Sequence, residues 1–339
     1  MFEDFLKGIE VAWDEFIKEE RISSIVSRVV EDSWKRCKRN GVDPYGGKGS
    51  KVSDEVFFET LRINDDLITT AIPIMENLNS IVLGTGFVLV LTDKNGVILH
   101  VVGEKGVKED ASRLNFVPGS LWSEELVGTN AIGTCIKELT PIQTIGAEHY
   151  CKEHHPWTCS AAPIKNQNGE LIGILDMSGY CLAAHKHTLG IVVAAAFSIE
   201  NQLSLKQSYE LLDTTVESIL DGMMILDNDF KIFRVNKVGN RILGIKQGQL
   251  DGVDARHILG DKIFRDKNSF QGRVDWDFSI GNNRIPCNIR ITSIDIDKSM
   301  KGMAIIFREM KEVHNTVNVV SGNKAIFTFE NILTENERM

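Results

Sequence analysis

Between His149 and Ser160 the chain concentrates chemically capable side chains: His149-Tyr150-Cys151-Lys152-Glu153-His154-His155-Pro156-Trp157-Thr158-Cys159-Ser160. Imidazoles and thiols are the ligand types of a zinc or iron site. Their intervals match no standard zinc pattern, and on a strand alternate residues would point to opposite faces. A metal or redox sensor built on His149, His155 and Cys159 is therefore one reading. A cysteine nucleophile with a histidine base is a second, but no third group or oxyanion turn accompanies it. A third is purely structural, a loop in which Trp157 and the histidines pack. The fourth is the wall of a pocket for a small organic molecule, where an apolar surface and a few polar groups fix orientation. Trp122, Asn130, Thr134, His149, His155, Trp157 and Cys159 are the residues expected to contact such a ligand. Asn130 and Thr134 stand four apart, on one face of a helix, where capping and core packing are their alternative roles.

Phosphate-binding glycines fail inspection. Gly46-Gly47-Lys48-Gly49-Ser50 resembles a P-loop, yet Val42 occupies the first glycine position and Gly49 stands where Ser or Thr must hold magnesium. Gly84-Thr85-Gly86 lacks the third glycine of a dinucleotide fingerprint. No set of acid, base and nucleophile can be assembled, so the chain is not expected to be an enzyme or to carry a cofactor.

Periodicity locates the scaffold around these residues. Phe2, Phe5, Ile9, Trp13 and Phe16 recur at helical spacing, and a second amphipathic run through Ile22, Val26, Val29 and Cys37 stops at Gly41–Pro44. Tyr45–Ser53, rich in Gly, Ser and Lys, is expected to be a mobile connection. Helical spacing returns from Asp54 to about Ser80. The period then changes: Phe87–Thr92, the turn Asp93-Lys94-Asn95-Gly96 and Val97–Val102 read as a hairpin, and Ala161–Ile164, Asn168-Gly169 and Leu171–Met177 repeat it. With the helix-like stretch Glu124–Lys137 between them, an antiparallel sheet with helices on one face is expected.

Between His185 and Gly222 apolar residues keep a heptad-like spacing in two shifted stripes, Leu189 to Leu203 and Leu205 to Ile219. A continuous helix of roughly 35 residues would be about 50 Å long. Such a connector would pair with its own copy in a homodimer; two consecutive helices, each on its own domain, are the alternative. Beyond it, Ile225–Ile232 echoes Val90–Ile98, and Arg273–Ile280, Ile285–Ile294 and Met303–Glu309 read as strands. The fold class is thus α+β, two antiparallel-sheet modules joined by a long helix and preceded by helices. Expected boundaries are 1–53 for the N-terminal helices, 54–185 for the first module, 186–220 for the connector, 214–310 for the second module and 311–339 for a linker and the last residues of the chain.

Composition sets the outer limits. The chain has 339 residues, which predicts about two domains. A net charge of −9 disfavours a surface that tracks nucleic-acid phosphates. The longest strongly apolar stretch, Leu189–Phe197, is far shorter than the roughly 18 residues of a membrane span, and the acidic start Met1-Phe2-Glu3-Asp4 is unlike a signal peptide. Six cysteines without a CxxC pair fit a reduced, cytoplasmic setting.

Three motifs carry a resemblance: Ser33-Trp34-Lys35-Arg36-Cys37 with Gly41-Val42-Asp43-Pro44, Glu125-Leu126-Val127-Gly128-Thr129-Asn130-Ala131-Ile132-Gly133-Thr134, and His155-Pro156-Trp157-Thr158-Cys159-Ser160-Ala161-Ala162-Pro163-Ile164. Together they resemble the acetoin-operon-activator group of sigma-54-dependent bacterial enhancer-binding proteins. The resemblance implies a GAF sensor domain followed by a PAS domain, with Arg234–Gly244 as the PAS strand-to-helix step and Asn236 capping that helix. It implies that Ala325–Met339 opens an AAA+ ATPase domain, so that ATP hydrolysis and contact with DNA and sigma factor would belong to domains absent from this chain. Its GAF pocket would take a small metabolite. A dimerisation module regulated by a protein partner, without a small ligand, is the alternative.

Overall fold

The computed structural model describes residues 2–265, 273–295 and 301–310. The expected start of an ATPase domain at 325–339 lies outside them. The chain divides into two units, Met1–Ser208 and Tyr209–Met339.

The first unit opens with helices α1 (Phe2–Glu19) and α2 (Arg28–Arg39). Ser27 caps α2, its side chain accepting from the Val30 amide. The apolar stripes of the two helices bury Ile9, Trp13, Phe16, Val30, Trp34 and Cys37 together with Ala147, Tyr150 and Cys151. Both indoles are satisfied as burial requires: Trp13 Nε1 donates to the Tyr150 carbonyl at 2.8 Å and Trp34 Nε1 to that of Glu148 at 2.8 Å.

Strand β1 (Ser50–Lys51) and helices α3 (Asp54–Ile63) and α4 (Asp65–Val82) lead into strands β2 (Phe87–Asp93) and β3 (Ile98–Gly103). The helix read from Asp54 is thus interrupted at Asn64. Helix α5 (Lys105–Ser112), strand β4 (Ser120–Leu121) and helices α6 (Glu124–Val127) and α7 (Ala131–Glu138) come next, then strands β5 (Ile142–Ile145), β6 (Trp157–Lys165) and β7 (Leu171–Tyr180). The stretch read as one helix from Glu124 breaks at Gly128, whose φ of 71° an L side chain rarely adopts.

The main sheet is five-stranded and antiparallel in the order β3-β2-β7-β6-β5. Helices cover both faces rather than the one expected. On one face Leu67, Ala71 and Met75 of α4, with Val192, Ala196, Ile199 and Leu203 of α8 (Lys186–Ser218), pack on Leu89, Leu91, Leu175 and Met177. On the other, α5, α6 and α7 pack with Phe116 and Trp122 on Val88, Val90, Ala161 and Ile174. Double coverage explains why β2 is buried along its whole length, since neither set of alternating side chains meets water.

Tyr45–Ser53 is a strap rather than a mobile connection. β1 pairs with β4, Ser50 opposite Leu121 and Lys51 opposite Ser120, and the Gly49 amide donates to the Leu114 carbonyl at 3.0 Å.

Helix α8 is continuous over 33 residues and links the two sheet modules. An 18-residue window within it has a mean hydropathy of 1.3, enough by length and composition to cross a bilayer. The run Leu189–Phe197 alone understates this, because apolar residues continue past it. Its buried stripe from Val192 to Leu203 belongs to the core of the first unit, while Ile191, Val193 and Phe197 of the same stretch are exposed.

The second unit holds strands β8 (Gly222–Leu226) and β9 (Ile232–Val235), helices α9 (Lys237–Leu243), α10 (Arg256–Leu259) and α11 (Lys262–Arg265), and strands β10 (Val274–Ile280), β11 (Asn283–Asp295) and β12 (Lys301–Glu309). They form a five-stranded antiparallel sheet in the order β10-β11-β12-β8-β9. Asn236 caps α9 as expected, accepting from the Gly239 amide at 2.8 Å, and the same oxygen accepts from the Met223 amide. Its amide donates to the Asp221 and Val216 carbonyls, tying β8, α9 and the end of α8. Arg234 pairs with Asp213 and Glu217 of the same helix.

Candidate functional site

From His149 to Ser160 the chain passes through one short 3-10 turn, Lys152–His154, and into the start of β6, and its side chains divide between different environments. His149, His154, Trp157 and Cys159 meet Phe116, Trp122 and Ser178 around a cavity of about 20 Å³, room for about one water molecule. Phe116 and Trp122 meet edge to face at 4.5 Å, and Trp122 lies 5.2 Å from the His154 ring. Of the seven expected contact residues, four line this cavity: Trp122, His149, Trp157 and Cys159.

The other three lie elsewhere. Asn130 caps α7, its oxygen accepting from the Gly133 amide at 2.9 Å while its amide donates to the Gly128 carbonyl. Thr134 and Ser33 have hydroxyls 3.4 Å apart within a buried polar network. His155 faces Trp13 of α1, edge to face at 4.8 Å.

That network explains two of the sequence motifs. Buried Glu124 accepts from Ser33 Oγ at 2.5 Å and from Arg36 through Nε at 2.8 Å and Nη2 at 3.0 Å, while Ser33 Oγ also lies 2.7 Å from Thr129 Oγ1. Arg36 reaches Glu138 as well, at 2.9 Å. The motif at Ser33–Cys37 and the one at Glu125–Thr134 are thus the two halves of one joint between α2 and the α6–α7 region.

Hydrogen bonds fix the tautomers at the cavity, because a carbonyl only accepts. His149 Nδ1 faces the Gly146 carbonyl at 2.9 Å and so carries the proton; its Nε2 accepts from Thr144 Oγ1 at 3.0 Å. His154 Nε2 faces the Gly47 carbonyl at 2.5 Å and carries its proton, leaving Nδ1 a bare lone pair. Nδ1 is buried and has no partner among the described residues. Burial pushes His149 down to about 3 and His154 to about 4, so both rings are neutral near pH 7. Burial pushes the Cys159 thiol well above its usual value and keeps it protonated, a poor nucleophile.

Beside this wall, β7 contributes a buried carboxyl group. Asp176 is fully buried and accepts from Ser178 Oγ at 2.5 Å, while its Oδ1 has no partner among the described residues. Burial raises it to about 7. No group of three or more His, Cys, Asp or Glu able to hold a metal occurs among the described residues. The set His149, His155 and Cys159 does not converge.

The strap closes over two cavity residues. Gly47 has a φ of 115°, and a Cβ there would approach His154 Nε2 to 2.9 Å and Cys151 Cβ to 2.8 Å; one on Gly49 would reach Trp122 Nε1 at 2.4 Å. Replacing Gly47 with Ala is expected to lower stability by about 1–3 kcal/mol through strain and overpacking. Denaturant titration checks this, and an unchanged midpoint would mean that the strap does not hold His154 as described.

His154, Ser178, Asp176 and Phe116 were not among the residues expected from sequence to touch a ligand. A readable signal did exist for Asp176, a lone acid in the apolar strand Leu171–Met177. His154 offered none beyond its place in the histidine cluster.

Comparison with known proteins places this architecture. Residues 66–203 match the GAF domain family and residues 210–277 the PAS domain family. A signal-transduction and transcriptional-control protein of Clostridium beijerinckii is 32% identical over 324 residues, covering 92% of this chain and 51% of that protein. The acetoin dehydrogenase operon transcriptional activator AcoR of Bacillus subtilis is 36% identical over 203 residues, 59% of this chain and 34% of AcoR. The N-terminal part of Escherichia coli DhaR, solved in complex with DhaL, shares the fold with a TM-score of 0.62 at 18% identity, over 83% of this chain and 99% of that one. The class is therefore a GAF-plus-PAS sensory region. More particularly, the chain is homologous over partial length to sigma-54-dependent transcription activators such as AcoR. It spans about half of the first relative's length and about a third of the second's.

Proposed function

We propose that the chain is the cytoplasmic signal-receiving region of a sigma-54-dependent transcription activator, in which a small metabolite occupies the GAF cavity and changes the packing of α8. The observation that supports this best is the aromatic cavity whose walls Trp122 and His154 are held shut by the strap at Gly47 and Gly49. A ligand larger than water must loosen that grip or shift β7. On β7, Ser178 lines the cavity while Leu175 and Met177 pack in the core with α8, so displacement of one strand is felt on both faces. Ligand acts only through different affinities for the two arrangements.

In this reading α8 pairs with a second copy through exposed Ile191, Phe197, Leu205 and Leu212, and the PAS domain relays the change to an ATPase outside these residues. DNA and sigma factor would be contacted by further domains, not by the GAF and PAS domains, and the chain itself would catalyse no reaction. The DhaR–DhaL complex favours a second reading, control by a protein partner on the same fold. Thermal denaturation with small alcohols, ketones, acids and amino acids separates the two. A ligand-dependent rise in melting temperature is expected; no shift with any compound, alongside a stable protein complex, would favour the partner.

A further inference from the structure

Helix α8 is buried against the GAF sheet as far as Leu203, and beyond it the apolar residues Leu205, Tyr209, Leu211 and Leu212 are exposed. At this exit the turn between β6 and β7 reaches the helix. A register shift between Ile164 and Lys165 interrupts the β6–β7 ladder, and there the Lys165 amide donates to Glu200 Oε1 at 2.6 Å. Such an irregularity takes a backbone group out of the ladder and re-aims it. Gln167 Nε2, in the turn itself, donates to the Ser204 hydroxyl at 3.0 Å and to the Ser204 carbonyl at 3.2 Å. Glu200 and Ser204 are four apart and share one face of the helix. The turn is braced, because the Asn166 side chain accepts from the Asn168 and Glu170 amides and donates to the Glu170 carboxylate. A groove of about 510 Å³ lies between the α3–α4 junction, the turn and α8. Hydrogen bonds that compete with water are individually weak, which suits a hold that must give way.

The opposite end of the same hairpin is the GAF cavity, where Cys159 stands opposite Ser178. Lys165 opposite Leu171 closes the hairpin about 20 Å further on, at about 3.3 Å per residue. Strand β5 pairs only with Thr158–Ala161, so from Ala162 onward β6 has β7 as its one strand partner among the described residues. A tilt of the hairpin at the cavity is thus carried to the turn, with no second strand to hold that end in place.

We infer that the β6–β7 turn is the clasp through which the GAF domain sets the direction of α8: the Lys165 amide on Glu200 and the Gln167 amide on Ser204 hold one arrangement, and a shift of the hairpin releases it. Gln167 and Glu200 are positioning residues, and neither lines the cavity. The clasp rests on the reading above that the GAF domain signals through α8, and it adds the route. On the other flank of the buried stripe Lys206 Nζ pairs with Asp66 of α4 at 2.5 Å, so release at the turn leaves the helix a pivot.

The test is hydrogen–deuterium exchange of the full chain read by mass spectrometry, which reports local opening. In the double variant Gln167→Ala/Glu200→Ala, exchange in residues 200–208 is expected to rise at least about tenfold, through loss of one neutral and one charge-assisted bond, while β2 and β7 keep wild-type exchange. Glu200→Gln, which keeps an oxygen for the Lys165 amide, should stay within about threefold of wild type. Trp157→Phe perturbs the cavity end without touching the turn. It is expected to change exchange in residues 200–208 of the otherwise wild-type chain and to add nothing in the double variant, the non-additivity of coupled sites. Unchanged exchange in residues 200–208 of the double variant would overturn the clasp, as would an equal rise in β2 and β7, which marks general destabilisation. A Trp157→Phe effect of the same size in both backgrounds would also overturn it, leaving signalling through α8 by another route. No effect of Trp157→Phe on α8 in either background would overturn the reading that α8 carries the state of the cavity. If the double variant does not fold, Gln167→Ala alone, a change at the surface, takes its place with an expected rise of about threefold.

Discussion

Replacing Asp176 with Asn is expected to stabilise the protein at about pH 8 relative to its effect at about pH 4 by about 2–4 kcal/mol. Asp176 is fully buried on β7, and Ser178 supplies its one hydrogen bond among the described residues. Burial raises it from 3.8 to about 7. The sign comes from proton counting. The protonated folded state has its full advantage below the unfolded value of 3.8; as pH rises toward 7 the unfolded chain ionises while the folded one stays protonated, and stability falls. Asn cannot ionise, so the variant avoids this loss, and it keeps an oxygen to accept from Ser178. Glu148, raised to about 7 by burial, behaves like Asp176. His149 and His154 oppose both: with folded values of about 3 and 4, they withdraw stability as pH falls below their unfolded value of 6.5. Removing the Asp176 contribution should therefore also steepen acid destabilisation below about pH 6.5. Urea titrations of wild type and variant across this range provide the measurement. A difference between the proteins that does not change with pH would mean that Asp176 is solvated and not buried as described.

Trp34→Ala should be the most destabilising single change in the N-terminal segment, by about 3–5 kcal/mol. Trp34 is fully buried, packs against Phe16 at 5.2 Å between ring centroids, and donates to the Glu148 carbonyl across to the turn that precedes His149. Truncation leaves both a cavity and an unpaired carbonyl. It also weakens the hold of α2 on the GAF domain beside the Glu124–Arg36–Ser33 network. The expected result is a lower melting temperature of the first unit together with protease cleavage near the loop Gly41–Ser53, whereas Trp34→Phe, which keeps most of the packing, should lose less. An Ala variant that resists protease as well as wild type would show that α1 and α2 are not a structural part of the GAF unit.

The parts of this architecture legible in sequence were those set by local physics. Alternation and Asn-Gly turns exposed the hairpins, and helical periodicity exposed α1, α2 and the long α8. Capping as an alternative role of Asn130 came from side-chain chemistry, and that of Asn236 from the resemblance to PAS domains at Arg234–Gly244. Connection Tyr45–Ser53 misled because Gly, Ser and Lys describe a flexible chain equally well when its carbonyls and close approaches are used by distant residues such as His154 and Trp122. The single helix expected from Glu124 failed at Gly128, where Tyr150, far away in sequence, packs so closely that a Cβ would meet its side chain at 2.8 Å.

The site divides in the same way. Residue types, the crowding of His, Cys and Trp near β6, and the motifs at Ser33–Cys37 and Glu125–Thr134 are all properties of the chain before it folds. Which of them meet is a property of packing: it turns His149 and His154 to the cavity and His155 to α1, and it joins the two motifs between α2 and α6–α7. Packing also brings Ser178 of β7, far along the chain from His154 and His155, to the same cavity, with Asp176 accepting from its hydroxyl. Tautomer, burial and unpaired valence belong to an environment assembled from several elements. Spacing along one segment fixes which side chains are close in the chain, but the arrangement of sheet, strap and helices fixes which lone pairs are left over.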